Sequence, residues 1–141
     1  RGVLETVKKL RWVPDIIHCQ RWMSAVVPFY IKTAYHDEPS FADTKVITSL
    51  FSNSLVKGLG ENFKECVEFR DAKAELLKKY DDKFTFEELG KLAIDYSDGV
   101  IAAHKNVNKE LLKYATGNNI PTLTYPGEDF AQTYEEFYEK I

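Results

Sequence analysis

The chain has 141 residues, of which 44% are hydrophobic and 29% charged, a balance typical of a folded globular domain. Its formal net charge is −3, and its lysines alternate with acids, so no basic face indicates a nucleic-acid partner. No apolar run approaches the roughly 20 residues that span a bilayer, and no signal peptide is recognisable, so we predict no membrane partner.

The two cysteines, Cys19 and Cys66, form no spacing motif. Cys19 falls within an apolar strand pattern, which predicts a buried and reduced thiol. Such cysteines are usual in a reducing compartment, so we predict a cytoplasmic location. The length predicts a single domain over residues 1–141. Because Arg1 already lies in a helical pattern, we expect this domain to be a piece of a longer polypeptide.

The first third of the chain predicts a helix, a strand and a second helix. Apolar residues recur at helical spacing over Gly2–Arg11, and Val13-Pro14 ends that helix. A short apolar run at Asp15–Cys19 predicts a strand, followed by a helix from about Met23 to Tyr35. Pro28 is tolerable in that second helix only in its first turn or at a kink.

The middle of the chain has one clear strand and a long irregular stretch. The β-branched segment 45–51 predicts a second buried strand. Residues 52–62 predict a surface loop, and residues 63–80 have a helical tendency with weak patterning. Thr85 followed by Glu88 forms a capping box, which predicts the start of an amphipathic helix.

The last third predicts alternating strands and helices. Residues 99–103 predict a third buried strand. Asn108 then caps a helix that we expect Gly117 to close as a left-handed residue. Residues 122–125 predict a fourth strand. A terminal helix follows, and one side of it carries a mainly aromatic stripe: Phe130, Tyr134, Phe137, Tyr138 and Ile141. We expect this stripe to pack on the flank of the sheet. The alternatives are that it covers a sheet face left bare by missing strands, or that it docks on a partner.

Apolar strands that alternate with amphipathic helices predict a parallel sheet covered on both faces. The predicted fold class is therefore α/β, a Rossmann-like three-layer sandwich with about four parallel strands. Ligands of such sheets bind beyond the carboxyl ends of the strands. Three junctions would lie at that edge: Gln20–Trp22, Phe51–Asn53 and His104–Asn106.

Residues 15–32 resemble the Asp-Val-Ile-His-Cys-His-Asp-Trp segment of bacterial glycogen synthases and plant starch synthases, which is followed by a helix with Pro-x-Tyr-Leu. Segment 45–51 is similar to the family stretch that ends in Thr-Val-His-Asn. Residues 92–111 are similar to a later family stretch, which reads Gly-Ile-x-Tyr-Ala-Asp-x-Val-x-Thr-Val-Ser-Pro-x-Tyr-x-x-Glu-Ile. The resemblance covers most of residues 3–116. The matching positions of the first segment are Asp15, His18, Cys19, Trp22, Pro28 and Tyr30.

The resemblance implies a retaining glucosyltransferase of glycosyltransferase family 5, whose members have two Rossmann-like domains in the GT-B arrangement. This chain would be the carboxyl-terminal part of the first of those domains. Such an enzyme transfers glucose from a nucleotide sugar, usually ADP-glucose in bacteria, to an α-1,4-glucan, and it requires no metal or other cofactor. The family holds the donor diphosphate with a Lys-Thr-Gly-Gly loop and with an Arg and a Lys of its second domain. We expect all three elements to lie outside residues 1–141, so we predict that this chain is inactive alone.

Departures from the family pattern fall on the proposed binding edge. Gln20 stands where the family has a histidine that contacts the transferred glucose, and Arg21 stands where it has an acid. Leu50 and Phe51 replace His-Asn, and His104 with Lys105 replaces Ser-Pro. The resulting candidate substrate-binding residues are Gln20, Arg21, Trp22 and His104; no catalytic residue and no metal ligand is assigned.

Each candidate has a structural alternative. Gln20 could contact a sugar hydroxyl or simply face solvent, and Arg21 could meet an anion or be an ordinary surface arginine. Trp22 is expected mainly to anchor the strand–helix corner. His18 is expected to be a hydrogen-bonded core residue. The run His36–Glu38 is not expected to bind a metal, because adjacent residues rarely converge on one ion.

Two functional hypotheses remain open from the sequence. The chain is either part of a glycogen synthase catalytic unit, or a non-catalytic relic that binds glucan or nucleotide sugar or scaffolds glycogen metabolism. The finished amphipathic pattern at residues 126–141 favours a true carboxyl terminus, and with it the relic. A partial Rossmann domain is also expected to expose an apolar edge. We therefore predict a homodimer through that edge or face.

Overall fold

The computed structural model describes all residues from Arg1 to Ile141. Four strands form one parallel sheet in the order β1-β2-β3-β4: β1 (Ile16–Gln20), β2 (Lys45–Leu50), β3 (Gly99–Ala102) and β4 (Thr122–Leu123). The helices are α1 (Gly2–Lys9), α2 (Val27–Lys32), α3 (Phe63–Cys66), α4 (Phe86–Asp95), α5 (Lys109–Gly117) and α6 (Ala131–Lys140). The predicted α/β class with four parallel strands is confirmed.

Helices cover both faces of the sheet, which makes three layers. On one face Cys19 and Val46 join a cluster of buried residues that includes Leu4 of α1, Phe29 of α2 and Leu89 of α4. Next to this cluster, β3 and α5 contribute residues to a second buried cluster, which includes Val100, Ala102 and Leu111. On the opposite face Ile47 and Ile101 pack against Phe137 of α6. The terminal helix therefore lies on a face of the sheet.

Asp98 aligns β2 and β3 just before β3 begins. Its backbone N–H donates to the Val46 carbonyl over 2.7 Å, and its Oδ2 accepts from the Val46 N–H over 2.8 Å. The same carboxylate oxygen accepts from Lys32 Nζ at 2.8 Å. One side chain thus continues the strand ladder and ties it to the end of α2.

The capping signals predicted from the sequence are present at α4 and α5. Thr85 Oγ1 accepts from the Glu88 N–H, and Asn108 Oδ1 accepts from the N–H groups of Glu110 and Leu111. The predicted left-handed cap at Gly117 is wrong. Gly117 is the last helical residue, and the left-handed residue is Asn119, with φ of 58°. Asparagine tolerates this conformation better than most residues with a side chain.

Two predicted helices are much shorter in the structure. The predicted helix 23–35 consists of a 3₁₀ turn at Trp22–Ser24 and then α2, in which Pro28 occupies the first turn. Between Phe63 and Tyr80 only α3 and a 3₁₀ turn at Ala74–Leu77 form. Buried side chains such as Val67 and Leu77, rather than a continuous helix, hold this stretch on the core.

The loop that follows β2 is hydrogen-bonded to the turn before α4. The N–H groups of Leu59 and Gly60 donate to the carbonyls of Phe84 and Lys83. Gly58 is required at this contact, because a Cβ there would lie 2.2 Å from the Lys83 carbonyl oxygen. No helix of the structure is both long and apolar enough to cross a membrane.

Candidate functional site

A cavity of about 230 Å³ opens at the carboxyl-end edge of the sheet, where ligands of parallel α/β sheets bind. We call it the edge cavity. Strands β1 and β2 and the residue that follows β2 supply part of its lining, and the chain from the end of β3 into α6 supplies the rest. The lining residues are Gln20, Ser49, Phe51, Ala103, Tyr125, Gly127, Phe130 and Tyr134.

Gln20 is the last residue of β1 rather than part of a turn, and it is exposed. Its carbonyl accepts from Ser24 Oγ over 2.7 Å, which fixes the backbone where the strand ends. Because the strand continues to Gln20, the side chain points to the same face as His18 and Ser49. The structure thus places this carboxamide at the edge cavity.

Arg21 and Trp22 line a different and smaller space of about 20 Å³, which Phe51 and residues of α4 also line. The guanidinium of Arg21 lies 4.5 Å from the centre of the Phe51 ring, a cation–π contact. Its backbone, with φ of 63° and ψ of 171°, occupies a region that is essentially restricted to glycine. Trp22 packs on the main apolar cluster, in agreement with its expected anchoring role.

His104 follows β3 and does not line the edge cavity. Its Nδ1 accepts from the Asn106 N–H over 3.0 Å, which shapes the turn before α5. Its ring centre lies 6.3 Å from that of Tyr125, which does line the cavity. The four candidate residues are therefore dispersed: Gln20 borders the cavity, Arg21 and His104 contact its aromatic walls, and the partly buried Trp22 packs against the core.

A hydrogen-bonded group lies beneath the cavity and connects β1, β2 and α6. His18 Nε2 is 2.5 Å from Ser49 Oγ, and His18 Nδ1 is 2.7 Å from the Tyr138 hydroxyl. Burial lowers the pKa of His18, which favours the neutral ring. This matches the core histidine expected from the sequence. No sequence motif indicated that Ser49 and Tyr138 would bind His18, because each of them is distant from His18 along the chain.

Aromatic side chains form most of the cavity wall. Phe130 and Tyr134 lie with ring centres 4.9 Å apart, and Phe51 faces them from the end of β2. Tyr125 and Phe130 are 38% and 49% exposed, so both rings are open to a ligand. The sequence pattern predicts Phe130 and Tyr134 as part of a packing stripe and does not indicate that they belong to the site.

The lining of the edge cavity contains no lysine, arginine or carboxylate. No group of three or more His, Cys, Asp or Glu side chains is arranged to hold a metal ion. In the run His36–Glu38, which is not expected to bind a metal, His36 Nδ1 lies 2.6 Å from the Thr33 carbonyl oxygen and 3.5 Å from Oδ2 of Asp71. The cavity therefore suits an uncharged ligand that offers a ring to aromatic faces and hydroxyls to an amide.

The family model described as the starch synthase catalytic domain matches residues 1–124. This chain belongs to that family. The glycogen synthase of Clostridium perfringens is 31% identical over 130 residues, which cover 87% of this chain and 25% of that protein. The glycogen synthases of Pelodictyon phaeoclathratiforme and Chlorobium limicola are 45% and 43% identical over 49 residues, which cover 35% of this chain and 10% of each relative.

The chain thus spans about a quarter of the length of the Clostridium perfringens relative. No solved structure matches significantly. The family match ends before Tyr125, so it includes Gln20, Ser49 and Phe51 but not Tyr125, Phe130 or Tyr134. In this member of the starch synthase family, one wall of the edge cavity comes from matched strands and the other from residues beyond the match.

Proposed function

We propose that this chain forms a sugar-binding edge of a glycogen synthase-type glucosyltransferase. The proposed donor is ADP-glucose, and the proposed acceptor is an α-1,4-glucan. Membership of the starch synthase family supports this proposal, and the edge cavity is the observation that carries it. Gln20 is the candidate residue that borders that cavity.

The cavity has the chemistry of a site for one sugar ring. Its volume of about 230 Å³ is below the roughly 300–1,000 Å³ of pockets that hold drug-sized ligands, which limits it to a small ring. The faces of Tyr125 and Phe130 offer apolar contact to the C–H side of a pyranose. The Gln20 carboxamide offers both donors and acceptors to the ring hydroxyls.

We further propose that the chain alone does not transfer glucose. Departure of a nucleoside diphosphate requires fixed cations or backbone donors at the developing charge. The candidate cation, Arg21, stacks on Phe51 and borders the smaller space beside α4. In this proposal Arg21 orders the corner, and the phosphate-binding groups come from outside residues 1–141.

The alternative is a non-catalytic module that binds glucan or nucleotide sugar, or acts as a scaffold. Gln20 favours it, because a carboxamide cannot exchange a proton near neutral pH as a histidine can. The enzyme and the sugar-binding form of the alternative both predict sugar binding at the edge cavity. They differ in whether the complete protein transfers glucose.

Calorimetric titration of the chain with maltooligosaccharides and with ADP-glucose tests the site. We expect maltooligosaccharide binding that Gln20→Ala and Tyr125→Ala each weaken at least about 5-fold, the effect of losing one hydrogen bond or one ring contact. Gln132→Ala is the matched control, because Gln132 is exposed on α6, does not line the edge cavity and donates a hydrogen bond to Glu136. Equal binding by all three variants would exclude the edge cavity as the site.

A transfer assay tests the second part of the proposal. Labelled ADP-glucose and glycogen are incubated with the chain and, as reference, with boiled protein. We expect no incorporation above the reference. Incorporation that requires the folded chain would show that the phosphate-binding groups lie within residues 1–141, and would remove the relic alternative.

We also propose a cytoplasmic location, and that residues 1–141 form a single domain that is a fragment of a starch synthase-type catalytic domain. Cys19 is buried and Cys66 is exposed, and neither forms a disulfide. Burial raises the pKa of the Cys19 thiol to about 12, so this thiol is unreactive near neutral pH. Fractionation of cells that express the complete protein tests the location.

A further inference from the structure

Arg21 turns the chain at the end of β1 with a strained backbone. Its φ of 63° and ψ of 171° lie in a region that residues other than glycine rarely adopt. Because this one residue makes the turn, β1 stays regular up to Gln20, which is still in register with Ser49, and Trp22 can pack on the main apolar cluster. A residue with an ordinary φ would move either Gln20 or Trp22 from these positions.

The neighbouring backbone and one hydroxyl hold this strained turn in place. Ser24 Oγ donates to the carbonyl oxygens of Gln20 and Arg21, over 2.7 and 3.0 Å. The Ser24 N–H donates to the Arg21 carbonyl over 3.3 Å, and the Ala25 N–H donates to the Trp22 carbonyl over 3.1 Å. Strained residues persist only where the surrounding structure fixes them in this way, and they concentrate at binding sites.

The strain of Arg21 lies beside the edge cavity. Four other residues that carry a side chain have a positive φ: Arg11, Arg70, Phe84 and Asn119. None of these four is next to a residue that lines the edge cavity. Arg21 directly follows Gln20, which does line it, so the strained turn fixes the point from which the Gln20 side chain extends.

The side chain of Arg21 also contacts a wall of the cavity. Its guanidinium lies 4.5 Å from the centre of the Phe51 ring. Phe51 lines both the edge cavity and the smaller space, whereas Arg21 lines only the smaller space. The guanidinium therefore stacks on this wall without occupying the cavity, and the contact restricts the rotation of the half-buried Phe51 ring.

We propose that Arg21 is a positioning residue of the edge cavity. Its strained backbone directs the Gln20 carboxamide at the cavity, and its stacked guanidinium holds the Phe51 ring as a wall. Arg21 itself touches no ligand in this arrangement and acts only through these two residues. The ligand is the maltooligosaccharide of the proposed function, on which this inference rests.

Urea denaturation of Arg21→Gly and Arg21→Ala tests the strain without any ligand. At most positions alanine gives the more stable variant, because glycine has more conformational freedom in the unfolded chain, but this order reverses where φ is positive. We expect a higher urea midpoint for Arg21→Gly than for Arg21→Ala. The Arg21→Gly midpoint should also not fall below that of the unmodified chain, because relief of strain offsets the lost stack. A higher midpoint for Arg21→Ala would contradict the proposal.

Calorimetric titration with maltooligosaccharides tests the effect on the cavity. Arg21→Gly should bind at least about 5-fold more weakly than the unmodified chain, the effect of misplacing one hydrogen-bonding group. A residue that only supports the fold would lower the urea midpoint together with the affinity. Arg70→Gly is the matched control, because Arg70 has a φ of 51° and stacks on Phe69 but does not line the edge cavity. It should bind as tightly as the unmodified chain.

Failure of the positioning role can be told apart from failure of the proposed function. If the unmodified chain binds maltooligosaccharides and Arg21→Gly binds them equally well, only the positioning role is refuted. If the unmodified chain binds none, the proposed function is refuted and the positioning role with it. Equally weakened binding by Arg21→Gly and Arg70→Gly would also contradict the positioning role, because the effect would not be specific to the edge cavity.

Discussion

Phe137 holds α6 on the sheet, and its truncation tests the three-layer arrangement. Phe137 is 8% exposed and packs between Ile47 and Ile101. Phe→Ala substitutions in well-packed cores cost about 3–5 kcal/mol. Because Phe137 lies at the rim of the core, we expect Phe137→Ala to lower the free energy of unfolding by about 3 kcal/mol. For a domain of this size that corresponds to a fall of about 6–12 °C in Tm.

Urea denaturation monitored by circular dichroism measures this loss. Phe130→Ala is the matched control, because Phe130 is 49% exposed and should lose less than about 1 kcal/mol. Hydrogen exchange should also show that the amides of α6 lose protection in Phe137→Ala before those of β2. A loss below about 1 kcal/mol for Phe137→Ala would refute the reasoning, because α6 would then not be docked on the sheet.

Gly99 provides a second test of the same contact. A Cβ at Gly99 would lie 3.1 Å from Cε1 and Cζ of the Phe137 ring, so Gly99→Ala must displace that ring. We expect Gly99→Ala to destabilise the unmodified chain by about 1–3 kcal/mol, the usual cost of overpacking. In the Phe137→Ala background the same substitution should be nearly neutral. Additive effects of the two substitutions would show that the residues are not in contact.

Three further predictions concern other parts of the fold. Burial lowers the pKa of His18, so the unfolded chain takes up a proton at this histidine at a higher pH than the folded chain does. Stability should therefore decline as pH falls below about 6.5, by at most about 1.4 kcal/mol per pH unit, and His18→Gln should flatten this decline in urea titrations. Asp95 accepts from the hydroxyls of Tyr80 and Tyr114 and pairs with Lys79, so Asp95→Asn should cost about 2–4 kcal/mol by urea denaturation, with Asp37→Asn as the neutral control. Thr85→Ala should cost about 1 kcal/mol in the same assay by removing the cap of α4, and Thr85→Ser should restore most of it.

Local sequence patterns were sufficient for elements whose signals lie within a few residues. Segment 45–51 was predicted as a strand and forms one from Lys45 to Leu50, because β-branched residues bury both of its faces. The capping box at Thr85 marks the start of α4 for the same local reason. Residues 63–80 were not predictable in this way. Their conformation depends on tertiary contacts, such as the Tyr30 hydroxyl that donates to the Val67 carbonyl over 2.7 Å.

The candidate site was only partly predictable, because its walls come from distant segments. The rule that ligands bind beyond strand ends led to Gln20, which does border the edge cavity. It also led to His104, which is one residue too far around the turn and contacts Tyr125 instead. Phe130 and Tyr134 could not be assigned to the site from helical periodicity alone. A stripe of aromatic residues has the same spacing whether all of it is buried or one end borders a cavity.

The residues that carry the family resemblance have structural roles in this chain. His18 joins β1 to Ser49 and α6, Pro28 occupies the first turn of α2, and the Tyr30 hydroxyl is bound to a distant carbonyl. Asp98 extends the ladder between β2 and β3. The resemblance is thus explained by requirements of the fold, and a chain could retain it after losing glucosyl transfer. Evidence for activity must come from the groups that touch a ligand, and at the edge cavity the first of these to test is Gln20.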